Sequence, residues 1–340
     1  MKAIRLEEPR RLALFSADEP GPSLKPHEAL VRVRRIGVCG TDIHAFNGNQ
    51  PFFSYPRILG HELGVVVTVV GSSSENVHPG DQCSVEPYLN CGHCIACRSG
   101  KPNCCVSLQV LGVHIDGGMR ESIVVPARKL HPSTHLQLDQ LALIETLAIG
   151  CHAVDRARVE AGEFALVVGV GPIGLTVVQF AIEAGAQVIV LDINPKRLEF
   201  CREKLGAPFA INAAVENPLE ALKRITAGDL PTVVFDATGN PKSMMEAYSY
   251  LANGGRLAFV GLFQGEITFN DPEFHRRELT VLSSRNARSQ DFTRIIGLVE
   301  SGRIDTDSWI THRGSFAEVI TEFPRWTRPE TGVLKAMIEV

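Results

Sequence analysis

Phe164-Ala165-Leu166-Val167-Val168-Gly169-Val170-Gly171-Pro172-Ile173-Gly174 runs from a short apolar segment into a glycine-rich turn. A helical pattern follows to Ala184, and a second apolar run, Gln187-Val188-Ile189-Val190-Leu191, ends at Asp192. Strand, turn and helix with Gly-x-Gly-x-x-Gly at the turn make a phosphate cradle. The glycines let the backbone approach a pyrophosphate, and the helix N-terminus offers free N–H donors. An acid at the tip of the next strand can accept from both hydroxyls of an adenosine ribose and repels a 2′-phosphate, so Asp192 favours NAD over NADP. An N-cap for the segment starting at Pro195 is the competing role for Asp192. No charged residue occurs between Phe164 and Ile182, nearly enough to span a bilayer. Gly169, Gly171, Pro172 and Gly174 break that run in its first half, which favours strand, turn and helix over a membrane span.

Outward from this unit the alternation continues toward the C-terminus. Phe209–Asn212 reads as a strand and Leu219–Thr226 as a helix. Thr232–Asp236 is a strand, Pro241–Leu251 a helix with Pro241 in its first turn, and Arg256–Val260 and Leu279–Ser283 are further strands. Strands alternating with helices imply a doubly wound parallel sheet, an α/β Rossmann domain over residues 151–287. A cofactor lies at the carboxyl ends of such strands. The expected contacts are Gly169, Gly171, Pro172, Ile173, Gly174, Asp192, Arg197, Val260, Gly261, Leu262, Ser284 and Arg285. After Gln290 a helix and a last strand, Lys335–Glu339, are expected to rejoin the first domain.

Toward the N-terminus the texture is β-rich. Ala29–Arg34 alternates apolar and charged residues, as a half-buried strand does. Gly64–Val70 is continuous and β-branched, which predicts burial on both faces. Asp81–Val85 and Glu121–Val125 read as strands, and Ala142 opens a helix to Arg158. Two polar clusters interrupt this domain: Gly37-Val38-Cys39-Gly40-Thr41-Asp42-Ile43-His44 and Gly60-His61-Glu62. Thiol, imidazole and carboxylate are the set a catalytic zinc prefers, three protein ligands with one open position. A third cluster, Cys91, Cys94 and Cys97 with Cys104 and Cys105 just beyond, can wrap four thiolates around one ion, a closed structural zinc site. An iron–sulfur cluster or a disulfide knot would use the same spacing.

Bulk properties bound the partners. With 340 residues, two domains are the default. A net charge of −4 leaves no basic footprint for nucleic acid. The first eight residues carry charge and lack the apolar core of a signal peptide, and nine clustered cysteines suit metal sites in a reducing compartment, so cytoplasm is the expected address.

Taken together, Gly37–His44, Gly60–Glu62, the Cys91/94/97/105 cluster and the Gly169–Gly174 turn resemble, in order and along essentially the whole chain, the zinc-dependent medium-chain dehydrogenases. The resemblance implies a β-rich GroES-like catalytic domain (residues 1–150 plus 288–340, with a structural-zinc lobe at 88–106) interrupted by the Rossmann domain. Within the family the chain looks most like the polyol, threonine and sugar-acid branch. Asn49–Arg57, Val113–Gly118, Asp271–His275 and Ser284–Ala287 are similar to the bacterial L-galactonate and L-gulonate 5-dehydrogenases. Glu145 stands where ethanol-type enzymes place a third zinc-binding cysteine. The branch usually has proline after that glutamate, and here Thr146 replaces it.

The resemblance implies two zinc ions per chain, NAD, and an alcohol substrate. Cys39, His61 and Glu62 would hold the catalytic zinc, with Glu145 the alternative carboxylate and catalytic residue, and Asp42 would orient His61. Cys91, Cys94, Cys97 and Cys105 would hold the structural zinc, leaving Cys104 spare. Thr41 would take the alcohol proton and pass it through the cofactor ribose to His44, although a surface histidine is the plain alternative for His44. Arg285 would grip a substrate carboxylate or serve an ion pair. Phe46, Phe53, Tyr55 and Met119 are candidate pocket walls or plain core. The substrate expected is a sugar acid or polyol, with L-galactonate or L-gulonate oxidised at C5 the sharpest form. L-Threonine or sorbitol oxidation is the alternative, and a scaffold without turnover the non-enzymatic one. A homodimer or homotetramer is expected, with no nucleic-acid or membrane partner.

Overall fold

Apolar–charged alternation from Ala29 to Arg34 gives a strand with Ala29, Val31 and Val33 buried and Arg32 and Arg34 exposed. The computed structural model describes residues 1–21 and 23–340. Among these the chain divides into two units, Met1–Thr146 with Arg288–Val340, and Leu147–Ala287.

The first unit opens with the hairpin β1 (Lys2–Glu8) and β2 (Arg11–Ser16). β3 (Glu28–Val38) runs into the short helix α1 (Gly40–Phe46), and β4 (Glu62–Val70) and β5 (Gln82–Val85) follow. A small lobe carries β6 (Tyr88–Leu89), α2 (Ile95–Arg98) and β7 (Gln109–Val110). β8 (Ser122–Pro126), β9 (Leu130–Pro132) and α3 (Leu138–Ala157) complete this stretch. β3 is long enough to pair antiparallel with both β4 and β8, and register shifts at Leu30/Val31 and Val33/Arg35 bend it. The two-sided burial expected for Gly64–Val70 holds only as far as Val65; Thr68 is exposed. The buried half is the part covered by the start of α3, where a Cβ on Gly64 would stand 2.2 Å from the Leu138 carbonyl oxygen.

The second unit alternates as its sequence demands: β10 (Phe164–Val168), α4 (Pro172–Glu183), β11 (Gln187–Asp192), α5 (Pro195–Glu203), β12 (Phe209–Asn212), α6 (Pro218–Ile225), β13 (Val233–Asp236), α7 (Pro241–Glu246), β14 (Arg256–Phe259), α8 (Asp271–Arg276) and β15 (Thr280–Ser283). The strands form one parallel sheet in the order β12-β11-β10-β13-β14-β15. Strand order reverses beside β10, which puts the ligand crevice of such a sheet at the turn after β10. Leu166, Ile189, Val234 and Leu257 carry its core. The helix expected from Pro241 to Leu251 is α-helical only to Glu246 and tightens to a 3₁₀ turn over Ala247–Tyr250.

The chain then returns to the first unit through α9 (Ser289–Glu300), β16 (Ile310–Ser315), α10 (Val319–Trp326) and β17 (Lys335–Glu339). β17 pairs antiparallel with β3, with Ala336 opposite Val38 and Met337 opposite Gly37. The last strand of the sequence therefore lies beside the residues that lead into Cys39. Among the described residues, no helix is long and apolar enough to cross a membrane.

Candidate metal centre and nucleotide site

Cys39 sits between β3 and α1 and is the residue that caps the helix. Asp42, in the first turn, accepts the Cys39 N–H at 3.0 Å and so fixes the direction in which the thiol leaves the sheet. His61 and Glu62 are adjacent, and in a regular strand they would point apart. The break comes at Gly60, whose φ of +95° suits glycine, and β4 begins only at Glu62. Loop 112–119 locks this break: Gly118 N–H donates to Gly60 O and Met119 N–H to Leu59 O. A Cβ on Gly117 would meet those same two carbonyl oxygens at 2.3 and 2.5 Å.

The result is a cluster in which ligand atoms of Cys39, His61 and Glu62 all lie within 4.8 Å of one another. His61 and Glu62 are buried and Cys39 is half-buried. Two buried polar atoms beside them, His61 Nδ1 and Asp42 Oδ1, make no hydrogen bond. They stand 3.7 Å apart, too far for the hydrogen bond by which Asp42 was expected to orient His61. Asp42 has committed its other oxygen to the cap. The donor set of thiol, imidazole and carboxylate fits a zinc ion with one position left for a small ligand.

Two carboxylates border the cluster, and their surroundings separate them. Glu62 is fully buried and faces Lys335 on β17, whose Nζ lies 2.7 and 2.8 Å from the two carboxylate oxygens. Burial pushes the Glu62 pKa up, but Lys335 and then His61 outweigh it and hold Glu62 below its ordinary value, as an anion. Glu145, on α3, accepts a hydrogen bond from the buried Tyr88 hydroxyl. Burial, the largest influence, carries Glu145 above its ordinary value despite His61 and Tyr88. The two carboxylates are thus shifted in opposite directions, Glu62 down by Lys335 and Glu145 up by burial.

Thr41 and His44 lie one turn apart on α1 and share a face of that helix, Thr41 half-buried and His44 exposed. Phe46 and Met119 are core residues, buried among Ala45, Leu59 and Phe323, and are not pocket walls. Tyr55 donates its hydroxyl to the Ala45 carbonyl and packs edge-on to Phe53, both half-buried.

In the lobe, the sulfurs of Cys91, Cys94, Cys97 and Cys105 come within 4.8 Å of one another, and Cys104 is exposed outside the group. Cys105 Sγ accepts the Cys91 N–H at 3.3 Å, and Cys97 Sγ accepts from Asn90 Nδ2 at 3.6 Å. Four sulfurs with N–H donors around them suit a closed tetrahedral zinc. Backbone N–H groups of His93 and Cys94 lower the Cys91 thiol to about 6, whereas burial raises Cys97. A lowered pKa means thiolate at neutral pH, and thiolate is the species that is alkylated. After chelation of the metal, iodoacetamide near neutral pH is therefore expected to label Cys91 well before Cys97, read by peptide mass spectrometry; equal rates would contradict the assignment.

In the second unit, Gly169 (φ +80°) turns the chain after β10, and a Cβ on Gly174 would stand 1.9 Å from the Gly169 carbonyl oxygen. Gly171 caps α4, and the atom nearest a Cβ there is Arg197 Nη1 at 3.6 Å, so the arginine reaches over the turn. Asp192 ends β11; its carboxylate accepts Val170 N–H and Asn194 N–H, both at 2.8 Å. Asn194, not Asp192, caps α5, accepting from Lys196 N–H. Gly261 approaches Gly239 so closely that a Cβ would lie 2.4 Å from its amide nitrogen. Leu262 and Arg285 are exposed beyond the strand ends. These residues line the carboxyl ends of β10, β11, β14 and β15, the edge where such sheets bind dinucleotides.

Several participants carried no signal in the sequence. Lys335 read as the start of a strand and Thr146 as a departure from a motif, and Tyr88 was not singled out. Each acts through a partner distant in sequence, which no local pattern encodes.

Residues 25–135 match the alcohol dehydrogenase GroES-like domain family, and residues 172–301 the zinc-binding dehydrogenase family. L-Galactonate-5-dehydrogenase of Escherichia coli K12 is 40% identical over 338 residues, 99% of this chain and 98% of that protein. The crystal structure of a short chain alcohol dehydrogenase (rspB) from E. coli CFT073, complexed with NADH, superimposes with a TM-score of 0.92 at 31% identity, covering 100% of this chain and 99% of that one. A zinc-binding dehydrogenase from Sinorhizobium meliloti 1021, bound to NADP, gives 0.90 at 30% identity, covering 100% and 99%. The chain belongs to the zinc-dependent medium-chain dehydrogenase family, in the branch of the sugar-acid and polyol dehydrogenases, and is an oxidoreductase.

Proposed function

We propose that the protein oxidises a secondary hydroxyl of a sugar acid with NAD, in its sharpest form C5 of L-galactonate or L-gulonate. The observation that carries this is the convergence of Cys39, His61 and Glu62 ligand atoms within 4.8 Å, in a chain 40% identical to an L-galactonate-5-dehydrogenase. Cys39, His61 and Glu62 would hold the catalytic zinc, and Cys91, Cys94, Cys97 and Cys105 a structural one. When bound, the ion would supply Lewis-acid polarisation of the hydroxyl oxygen and NAD would supply the hydride acceptor. Thr41 receives the hydroxyl proton. His44, one turn away and open to solvent, releases it. Glu145, buried at the edge of the cluster and held by the Tyr88 hydroxyl, is the second carboxylate at the centre. The turn Gly169–Gly174 and Arg197 hold the pyrophosphate. Asp192 holds the ribose hydroxyls, and its negative charge selects NAD over NADP. Arg285 supplies a cation for the substrate carboxylate. We assign the protein to the cytoplasm as a homo-oligomer.

The test is NADH formation with L-galactonate, L-gulonate, sorbitol and L-threonine, each with NAD and NADP. The expected result is a kcat/KM at least tenfold higher for an aldonate with NAD. Turnover of threonine or sorbitol alone would contradict it.

A further inference from the structure

Glu145 is 4% exposed on α3, and the hydroxyl that donates to its Oε1 belongs to Tyr88, 2% exposed on β6. Tyr88 is held independently of that bond. Its backbone pairs with Val110 on β7, and the residues just before it are fixed too: Leu111 N–H donates to the Pro87 carbonyl at 3.1 Å, and Glu86 N–H to the Lys129 carbonyl at 2.8 Å. The Tyr88 ring stands edge-on to Phe292 of α9, with centroids 6.3 Å apart, and Phe292 is stacked in turn on His131 at 4.9 Å. His131 Nε2 lies 3.4 Å from Glu86 Oε2, on a carboxylate that Lys129 and Ser289 also hold. A strand pair and an aromatic stack therefore aim the phenol at Glu145.

The two carboxylates at the centre are thus anchored by different means. Glu62 is fixed by the Lys335 ammonium, Glu145 by a neutral hydroxyl. Glu145 is near enough to His61, Glu62 and Lys335 for their charges to act on it. A hydroxyl that takes Oε1 satisfies that buried oxygen and stops the carboxyl group from rotating. A group oriented before the reaction begins avoids the cost of reorganising during it. We propose that Tyr88 is a positioning residue: it fixes the orientation of the Glu145 carboxyl group beside Cys39, His61 and Glu62, and turnover depends on that orientation. This rests on those three residues forming the metal site.

Phenylalanine keeps the ring against Phe292 and removes only the hydroxyl. The test loads wild type, Tyr88→Phe, Glu145→Gln and the double variant with cobalt at this centre and zinc in the four-cysteine lobe. It measures the cobalt absorption spectrum, and kcat and KM for whichever alcohol of the panel above wild type oxidises fastest. Tyr88→Phe should lower kcat about tenfold or more, the scale of one buried hydrogen bond, with KM changed less than twofold. Its cobalt bands should shift. In the Glu145→Gln background the same substitution should change neither kcat nor the bands, because Tyr88 acts through Glu145. A Tyr88→Phe enzyme with wild-type kcat and bands, or a loss of equal size in both backgrounds, overturns the proposal. Zinc retained in the lobe reports that each variant is folded. Should Tyr88→Phe not fold, Phe292→Leu, which unseats the ring and keeps the hydroxyl, should show the same dependence on Glu145, and its absence overturns the proposal. If wild type oxidises none of the four alcohols, the proposed function fails and the cobalt bands alone decide the proposal. If Cys39→Ser leaves cobalt binding at the centre intact, the metal-site reading fails and the proposal with it. If Cys39→Ser loses the metal while Tyr88→Phe behaves as wild type, only the proposal fails.

Discussion

Replacing Cys39 with serine is expected to reduce kcat/KM by about a thousandfold or more, while the fold and the zinc of the four-cysteine lobe are retained. Loss of a Lewis acid removes several kcal/mol of transition-state stabilisation, and each 1.36 kcal/mol is a factor of ten. At the start of α1 the Asp42 carboxylate accepts the Cys39 backbone N–H at 3.0 Å. Serine leaves that bond untouched, so the loss reports the metal site and not the helix. The measurement is initial-rate NADH formation alongside zinc content per chain. Undiminished turnover with one zinc fewer would contradict the role of Cys39.

The second large effect concerns Lys335. Its ammonium is 1% exposed and its partner Glu62 fully buried, with both oxygens within 2.8 Å. Glu62 is held below its ordinary pKa and Lys335 above its own, so both partners are charged in the folded chain. Removing one member of a buried pair leaves an uncompensated charge, at a cost on the order of 3–5 kcal/mol. Lys335→Met in chelator-treated protein should lose that amount in urea unfolding, and Glu62→Leu combined with Lys335→Met should recover most of it. A single variant as stable as wild type would mean that the ion pair is not a structural element.

How far these features could be read in the sequence depends on how far apart the cooperating residues lie. The strand–turn–helix at Phe164–Glu183 is encoded within a few residues, since the glycines are demanded by a positive φ at Gly169 and by close packing at Gly174. The four-cysteine lobe is local too, and residue type alone brings Cys91, Cys94 and Cys97 within reach of one ion. The first metal cluster was legible as a donor set, because thiol, imidazole and carboxylate stand in two short motifs. The relation between the two carboxylates was not. It depends on Lys335, 273 positions from Glu62, and on Tyr88, 57 positions from Glu145. Only the pairing of β17 with β3 brings Lys335 to the site. Asp192 shows the same limit at short range: ribose acceptor and helix cap suit an acid equally well, and the structure gives the cap to Asn194. Phe46 and Met119 failed as pocket walls for a general reason, since large apolar side chains are most often core.

The most direct test of the metal-centre assignment is anomalous X-ray diffraction at the zinc edge from crystals of the metal-loaded protein. Two peaks per chain are predicted, one at bonding distance from Cys39 Sγ and a His61 ring nitrogen, and one among the sulfurs of Cys91, Cys94, Cys97 and Cys105. A single peak confined to the four cysteines would contradict a metal-dependent reaction at Cys39 and His61.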